Sequence, residues 1–149
     1  MSRKWFKNKV PNNVKITETS ELASLSKITV DKYINNFNSY KLDSASTDIL
    51  NLAIKTNLYL NDKQPWILIK QESNIQLVKE IIYEVLESTR IIGLLLLPLL
   101  PELSAKIDAQ LGFKYKKESP WQNQLEWGLL NQNAELPNPI PIINKLEYE

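Results

Sequence analysis

Residues 56–71 read TNLYLNDKQPWILIKQ, and this stretch sets the frame for everything around it. It begins as the end of an apolar helix, passes through the polar turn Asn61-Asp62-Lys63-Gln64, and re-enters at Pro65-Trp66. A proline at the first helical position, with a polar turn before it, is a helix-start signal. The spacing therefore predicts a Trp on the first turn of a new helix, beside a tight corner. From position alone, such a Trp is most simply a wedge filling the corner between two helices, since Trp is usually largely buried. The other reading is a platform on which an unpaired base stacks, as single-stranded nucleic-acid readers use.

Helical periodicity continues on both sides. Upstream, Leu22, Leu25, Ile28 or Thr29, Tyr33, Ile34 and Phe37 recur at steps of three and four, predicting a helix from Ser20 to about Tyr40 with Thr17 or Ser20 as its cap. Asp43 is a plausible cap for the next helix, whose stripe is Ala45, Ile49, Leu52, Ala53, Thr56 and Leu60. Downstream of Trp66, Ser73 is placed to cap a third long helix facing the core with Ile75, Val78, Ile82, Val85, Leu86, Thr89, Gly93 and Leu96. Leu94 to Leu97 make that helix apolar nearly all round, so several neighbours should cover it. Pro98 and Pro101 end it, and Glu102 to Leu111 forms a short further helix stopped by Gly112. Four helices joined by short turns predict an all-α, antiparallel bundle. Periodicity is lost from Phe113 onward; residues 113–149, with Trp121, Trp127 and four prolines, read as an extended tail lying on a surface and anchored by aromatics. Residues 1–16 read as the tail of a helix running into a loop, as if the chain started within an element.

Composition excludes much chemistry. With 149 residues the chain is most simply one domain, residues 1–149, large enough for a full core. It has no histidine and no cysteine, which rules out a Ser-His-Asp triad, a zinc site, disulfides and thiolate catalysis, and fits a reducing, cytoplasmic setting. The 18 basic and 17 acidic residues leave a net charge of +1, so any nucleic-acid contact must be local. Three glycines provide no phosphate loop. The run Ile91–Leu100 is broken by Pro98 and is shorter than the roughly 20 residues a membrane span needs.

Few polar residues form a catalytic pattern. Glu80, Glu84 and Glu87, near Lys79 and Arg90, read as a solvated helix face. Arg90 reads as a buried partner for a carboxylate or, less simply, as a phosphate contact. Arg3-Lys4-Lys7-Lys9 and Lys114-Lys116-Lys117 are candidate phosphate-facing patches, with solvated surface as the plainer alternative. No catalytic residue and no metal ligand is expected.

In order, the segments TNLYLNDKQPW, the Arg90 helix, LLPLLPELSAKIDAQLGF, Trp127-Gly128 and PIPIINKLE resemble the C-terminal anticodon-binding domain of methionyl-tRNA synthetases of bacterial or cyanobacterial type. The resemblance spans residues 1–147. Thr56, Asn57, Tyr59, Leu60, Pro65 and Trp66 match the family's Ala-Asn-x-Tyr-Ile and Pro-Trp pattern. Arg90, Pro98 and Pro101 match its leucine-arginine helix with paired prolines, and Gln110-Leu111-Gly112 its helix stop. The resemblance implies a bundle of four to five helices that docks on the anticodon arm of methionine-specific tRNA. Trp66 would stack on an anticodon base and Pro65 would set its angle; Asn57, Arg90, Lys4 and Lys7 are further candidate tRNA contacts. It implies partnership with the catalytic domain of the same enzyme, which binds ATP and methionine, and neither a membrane nor DNA as partner. No cofactor is expected in this domain.

The sequence departs from the family in three places. An Asn and an Arg that help read the anticodon would lie just before Met1. The closing Leu-Phe-Pro-Arg-Ile-Glu is here Ile142-Ile143-Asn144-Lys145-Leu146-Glu147. The catalytic His-Ile-Gly-His and Lys-Met-Ser-Lys-Ser signatures are not in this sequence. A free-standing tRNA-binding or protein-interaction module is the alternative reading.

Overall fold

The computed structural model describes residues 1–142 and is built from helices. These are α1 (Ser2–Trp5), α2 (Glu21–Asn38), α3 (Leu42–Lys63), α4 (Pro65–Leu68), α5 (Ile75–Leu96) and α6 (Pro101–Leu111), with short 3-10 turns at Glu72–Asn74 and Trp121–Leu125. The all-α bundle expected from periodicity is what forms. Among the described residues the only β pairing is one isolated antiparallel bridge, Lys9 to Glu135.

Helix α5 is the centre. It packs against α2, α3, α4 and α6 and against the tail, and Ile81, Ile91, Leu94 and Leu95 on it are at most 1% exposed. One core joins Tyr33, Ala45, Ile49, Leu52, Ile91, Leu94, Leu95 and Leu125. A second gathers Val10, Val14, Tyr83, Ile107, Leu111 and Leu130, bringing the N-terminal loop, α5, α6 and the tail together. A third, smaller one holds Leu22, Tyr59 and Ile81. The near-complete apolar circumference of α5 is thus explained by four neighbours.

Helix ends follow local chemistry in part. Ser20 caps α2 by accepting from the Ala23 amide, 3.3 Å away. Gly112 ends α6 in the left-handed region, φ +62. The other two expected caps are corrected. Helix α3 begins at Leu42, so Asp43 sits in the first turn, where its charge suits the helix dipole. Ser73 lies inside the 3-10 turn, and α5 begins at Ile75 without a side-chain cap.

The contact of α5 with α6 depends on Gly93. A Cβ there would stand 2.9 Å from Ile107 Cγ2 and 3.4 Å from Asp108 Oδ1, and Ser104 donates to the Gly93 carbonyl at 2.6 Å. The β-branched Ile107 cannot swing aside cheaply. Gly93→Val should therefore destabilise the fold by about 2 kcal/mol through overpacking, measured by urea unfolding. An unchanged midpoint would show that the two helices separate at little cost.

The tail runs deeper than a surface strap. Gln124, Leu125 and Leu130 are buried, and Tyr83 donates to the Leu130 carbonyl at 2.9 Å. The Ile142–Glu147 ending compared above lies, beyond Ile142, outside the described residues.

Candidate nucleic-acid interface

The corner after α3 is tighter than the sequence implies. The expected four-residue turn Asn61–Gln64 is mostly helix, because α3 continues to Lys63. Gln64 alone reverses the chain, in the left-handed region at φ 47 and ψ 57, and Pro65 is the first residue of α4. Proline suits that place, having no amide to leave unsatisfied and a preset φ.

Two contacts hold the corner to α5. Thr56 Oγ1 lies 2.7 Å from Ser88 Oγ. The Tyr59 hydroxyl donates to the Glu84 carboxylate, and burial, followed by that hydrogen bond, pushes the Tyr59 pKa far above the ordinary phenol value. Lys63 Nζ stands 5.3 Å over the Tyr59 ring, a cation–π contact at the last turn of α3. Thr56 and Tyr59 thus face inward, and their neighbours Asn57 and Leu58 face solvent.

Pro65 is buried, whereas Trp66 is 39% exposed. Trp5 is half-buried and, like Trp66, outside the three core clusters, whereas Trp121 and Trp127 differ. Trp121 and Trp127 pack against the core clusters, Trp121 also donating to the Leu94 carbonyl at 3.0 Å. Trp66 packs into none of the three clusters. It is a ring on a rigid one-turn helix, with part of its surface open.

The other candidate contacts divide. Asn57 lies on the outward face of α3, roughly 10 Å before the corner at 1.5 Å per residue. Lys4 and Lys7 are exposed on the N-terminal segment. That segment borders a groove of about 300 Å³ whose lining includes Met1, Arg3, Leu60, Val85 and Leu86, so it lies toward the same end of α3 as the corner.

Arg90 is the correction. It is 0% exposed, and its guanidinium donates to Glu87 and to the carbonyls of Gln124 and Glu126. Every direction in which it could meet a phosphate is occupied, so it is a structural partner. Glu87, read as part of a solvated face, is likewise 0% exposed. The tail covers that side of α5, which helical spacing cannot reveal. Glu84 is half-buried through Tyr59.

One feature of the surface escaped the sequence reading. Leu50, Ile54 and Leu58 are 59%, 50% and 52% exposed, an apolar line on the side of α3 opposite its core stripe. Their i, i+4, i+8 spacing was visible in the sequence as a second stripe.

The family model described as the anticodon binding domain of methionyl tRNA ligase matches residues 10–148. This chain belongs to that family. A methionine–tRNA ligase of Synechocystis sp. is 40% identical over 109 residues, covering 66% of this chain and 20% of the relative. One from Halalkalibacterium halodurans is 29% identical over 151 residues, covering 100% of this chain and 23% of the relative. The crystal structure of apo methionyl-tRNA synthetase from Mycobacterium tuberculosis superposes with a TM-score of 0.85 at 24% identity, over 100% of this chain and 30% of that one, which shows a shared fold. The chain therefore spans between a fifth and a third of the length of these relatives and matches their anticodon-binding part. Among the described residues no helix is long and apolar enough to cross a membrane.

Proposed function

We propose that this anticodon-binding domain recognises the anticodon arm of a tRNA, methionine-specific in the ligase context, with Trp66 stacking on an unpaired base. The observation that carries the reading is the partly open Trp66 ring, outside the core clusters and fixed at a corner by buried Pro65 and left-handed Gln64. An indole face held in place loses little entropy on stacking, and base-on-aromatic stacking contributes about 1–3 kcal/mol. Asn57, with donor and acceptor groups on the outward face, suits a base edge. Lys4 and Lys7 suit the backbone nearby, where charge adds affinity without sequence information.

The chain supplies recognition. ATP-dependent attachment of methionine is assigned to a catalytic domain acting with it in the cytoplasm, and no cofactor is assigned to this part.

The test is Trp66→Ala titrated with an RNA hairpin carrying a methionine anticodon loop. Affinity should fall by about 5- to 150-fold, the equivalent of 1–3 kcal/mol, with far-UV helicity unchanged. Trp66→Phe should keep part of the affinity. Equal affinity in Trp66→Ala and parent removes the stacking role. Loss of helicity returns Trp66 to the wedge reading.

A further inference from the structure

Between the end of α6 and the tail lies a cavity of about 500 Å³, open to solvent, whose lining includes Lys114, Lys116, Ser119, Asn123 and Asn131. These side chains offer two ammonium groups, a hydroxyl and two amides. No carboxylate is among the residues lining it. Glu118 and Glu135 adjoin lining residues in the chain but do not line it. Among the described residues, neither lysine pairs with a carboxylate.

The loop carrying the lysines is fixed from below. The buried Gln124 side chain accepts from the Lys116 amide at 3.0 Å and donates to the carbonyls of Lys116 and Ser119 at 2.8 and 3.2 Å. The Phe113 ring lies 5.2 Å from the buried Arg90 guanidinium. The backbone is thus held while Lys114 and Lys116 remain exposed. Flexible cations on a rigid, carboxylate-free rim suit a charged chain passing across it. They suit a small enclosed anion less well, because no buried charged side chain lines the cavity.

We infer that this rim is a second RNA contact, at which Lys114 and Lys116 meet backbone phosphodiester groups away from the anticodon loop. The inference rests on the RNA-binding reading above. The two places are distinct. Leu68 of α4 packs against the cluster that includes Ile81, in the first half of α5, whereas Trp121, beside the lysine loop, donates to the Leu94 carbonyl near its end. Along α5 these points are about 20 Å apart. An RNA anchored at Trp66 by one base would meet the lysines with backbone further along the arm. Such contacts add affinity uniformly across sequences and depend on salt through counterion release.

The experiment is a salt titration of hairpin affinity for parent, Lys114→Gln/Lys116→Gln, Lys114→Arg/Lys116→Arg and Trp66→Ala. The Gln variant should bind more weakly to every stem sequence, and its slope of log affinity against log salt should be shallower by about 1.5, since each phosphate contact contributes roughly 0.7–0.9. The Arg variant should keep the parental slope. Trp66→Ala should lose affinity with its slope unchanged. A parental slope in the Gln variant, beside a parent that binds the hairpin, overturns this inference alone. A shallow slope in both lysine variants overturns it too, because charge would not be the cause. A parent that does not bind the hairpin removes both this inference and the function it rests on.

Discussion

Glu87→Gln should destabilise the domain by about 3–5 kcal/mol, the penalty for leaving a buried charge without its partner. The Glu87 carboxylate accepts from the Arg90 guanidinium and from three consecutive tail amides, Gly128 at 2.7 Å, Leu129 at 3.0 Å and Leu130 at 3.1 Å. Arg90 in turn donates to the Gln124 and Glu126 carbonyls. Residues 124–130 are therefore tied to α5 through one ion pair with no exposure on either side. Gln keeps the shape but cannot neutralise Arg90, and its NH2 group would face amides where an acceptor is needed. Whole domains have only about 5–15 kcal/mol of stability. Melting should thus fall by on the order of 10 °C for a chain of this size, with early proteolysis in the tail. A shift of less than about 2 °C would mean that the tail docks by its apolar side chains alone.

The opposite sign is expected at Asp108. It is 8% exposed, and its Oδ1 has no hydrogen-bond partner. It lies in the last turns of α6, where the helix dipole disfavours a negative charge. Burial pushes its pKa from 3.8 up to about 6, against an opposing pull from Arg90. Because the folded-state value is raised, the favourable contribution of the protonated acid is complete below about pH 3.8 and is lost as pH rises through about 6. Above pH 6 the ionised form costs the fold on the order of 3 kcal/mol. Asp108→Asn, which keeps the shape and drops the charge, should be more stable than the parent at pH 8 by up to that amount. The difference should shrink on acidification and vanish near pH 4. Urea unfolding at both pH values checks this, and a pH-independent difference would contradict it.

The sequence carried the helices well because their signals are local. Apolar residues at steps of three and four lie on α2, α3 and α5, and Ser20 and Gly112 act where their chemistry predicts. The Pro65-Trp66 corner was legible for the same reason. What could not be read is the set of contacts between distant segments. Arg90 reads as a buried partner for a carboxylate, but Glu87 looks like part of an ordinary exposed helix face until the tail, more than 30 residues later, closes over both. Asp43 and Ser73 failed as caps because α3 and α5 begin with no side-chain cap bond at all. Whether Trp66 is a wedge or an open ring depends on what packs beside it, which no spacing reveals; the structure gives its 39% exposure.

Binding of unpaired bases at the Trp66 corner is tested by one comparison. The affinity of the parent for an RNA hairpin with an anticodon loop would be measured beside that for a blunt RNA duplex of equal charge, then repeated with Trp66→Ala. The parent should bind the hairpin more tightly, within the range of about 5- to 150-fold that stacking provides, and the preference should disappear in the variant. Equal affinity of the parent for hairpin and duplex would contradict it, since binding would then rest on phosphate charge alone.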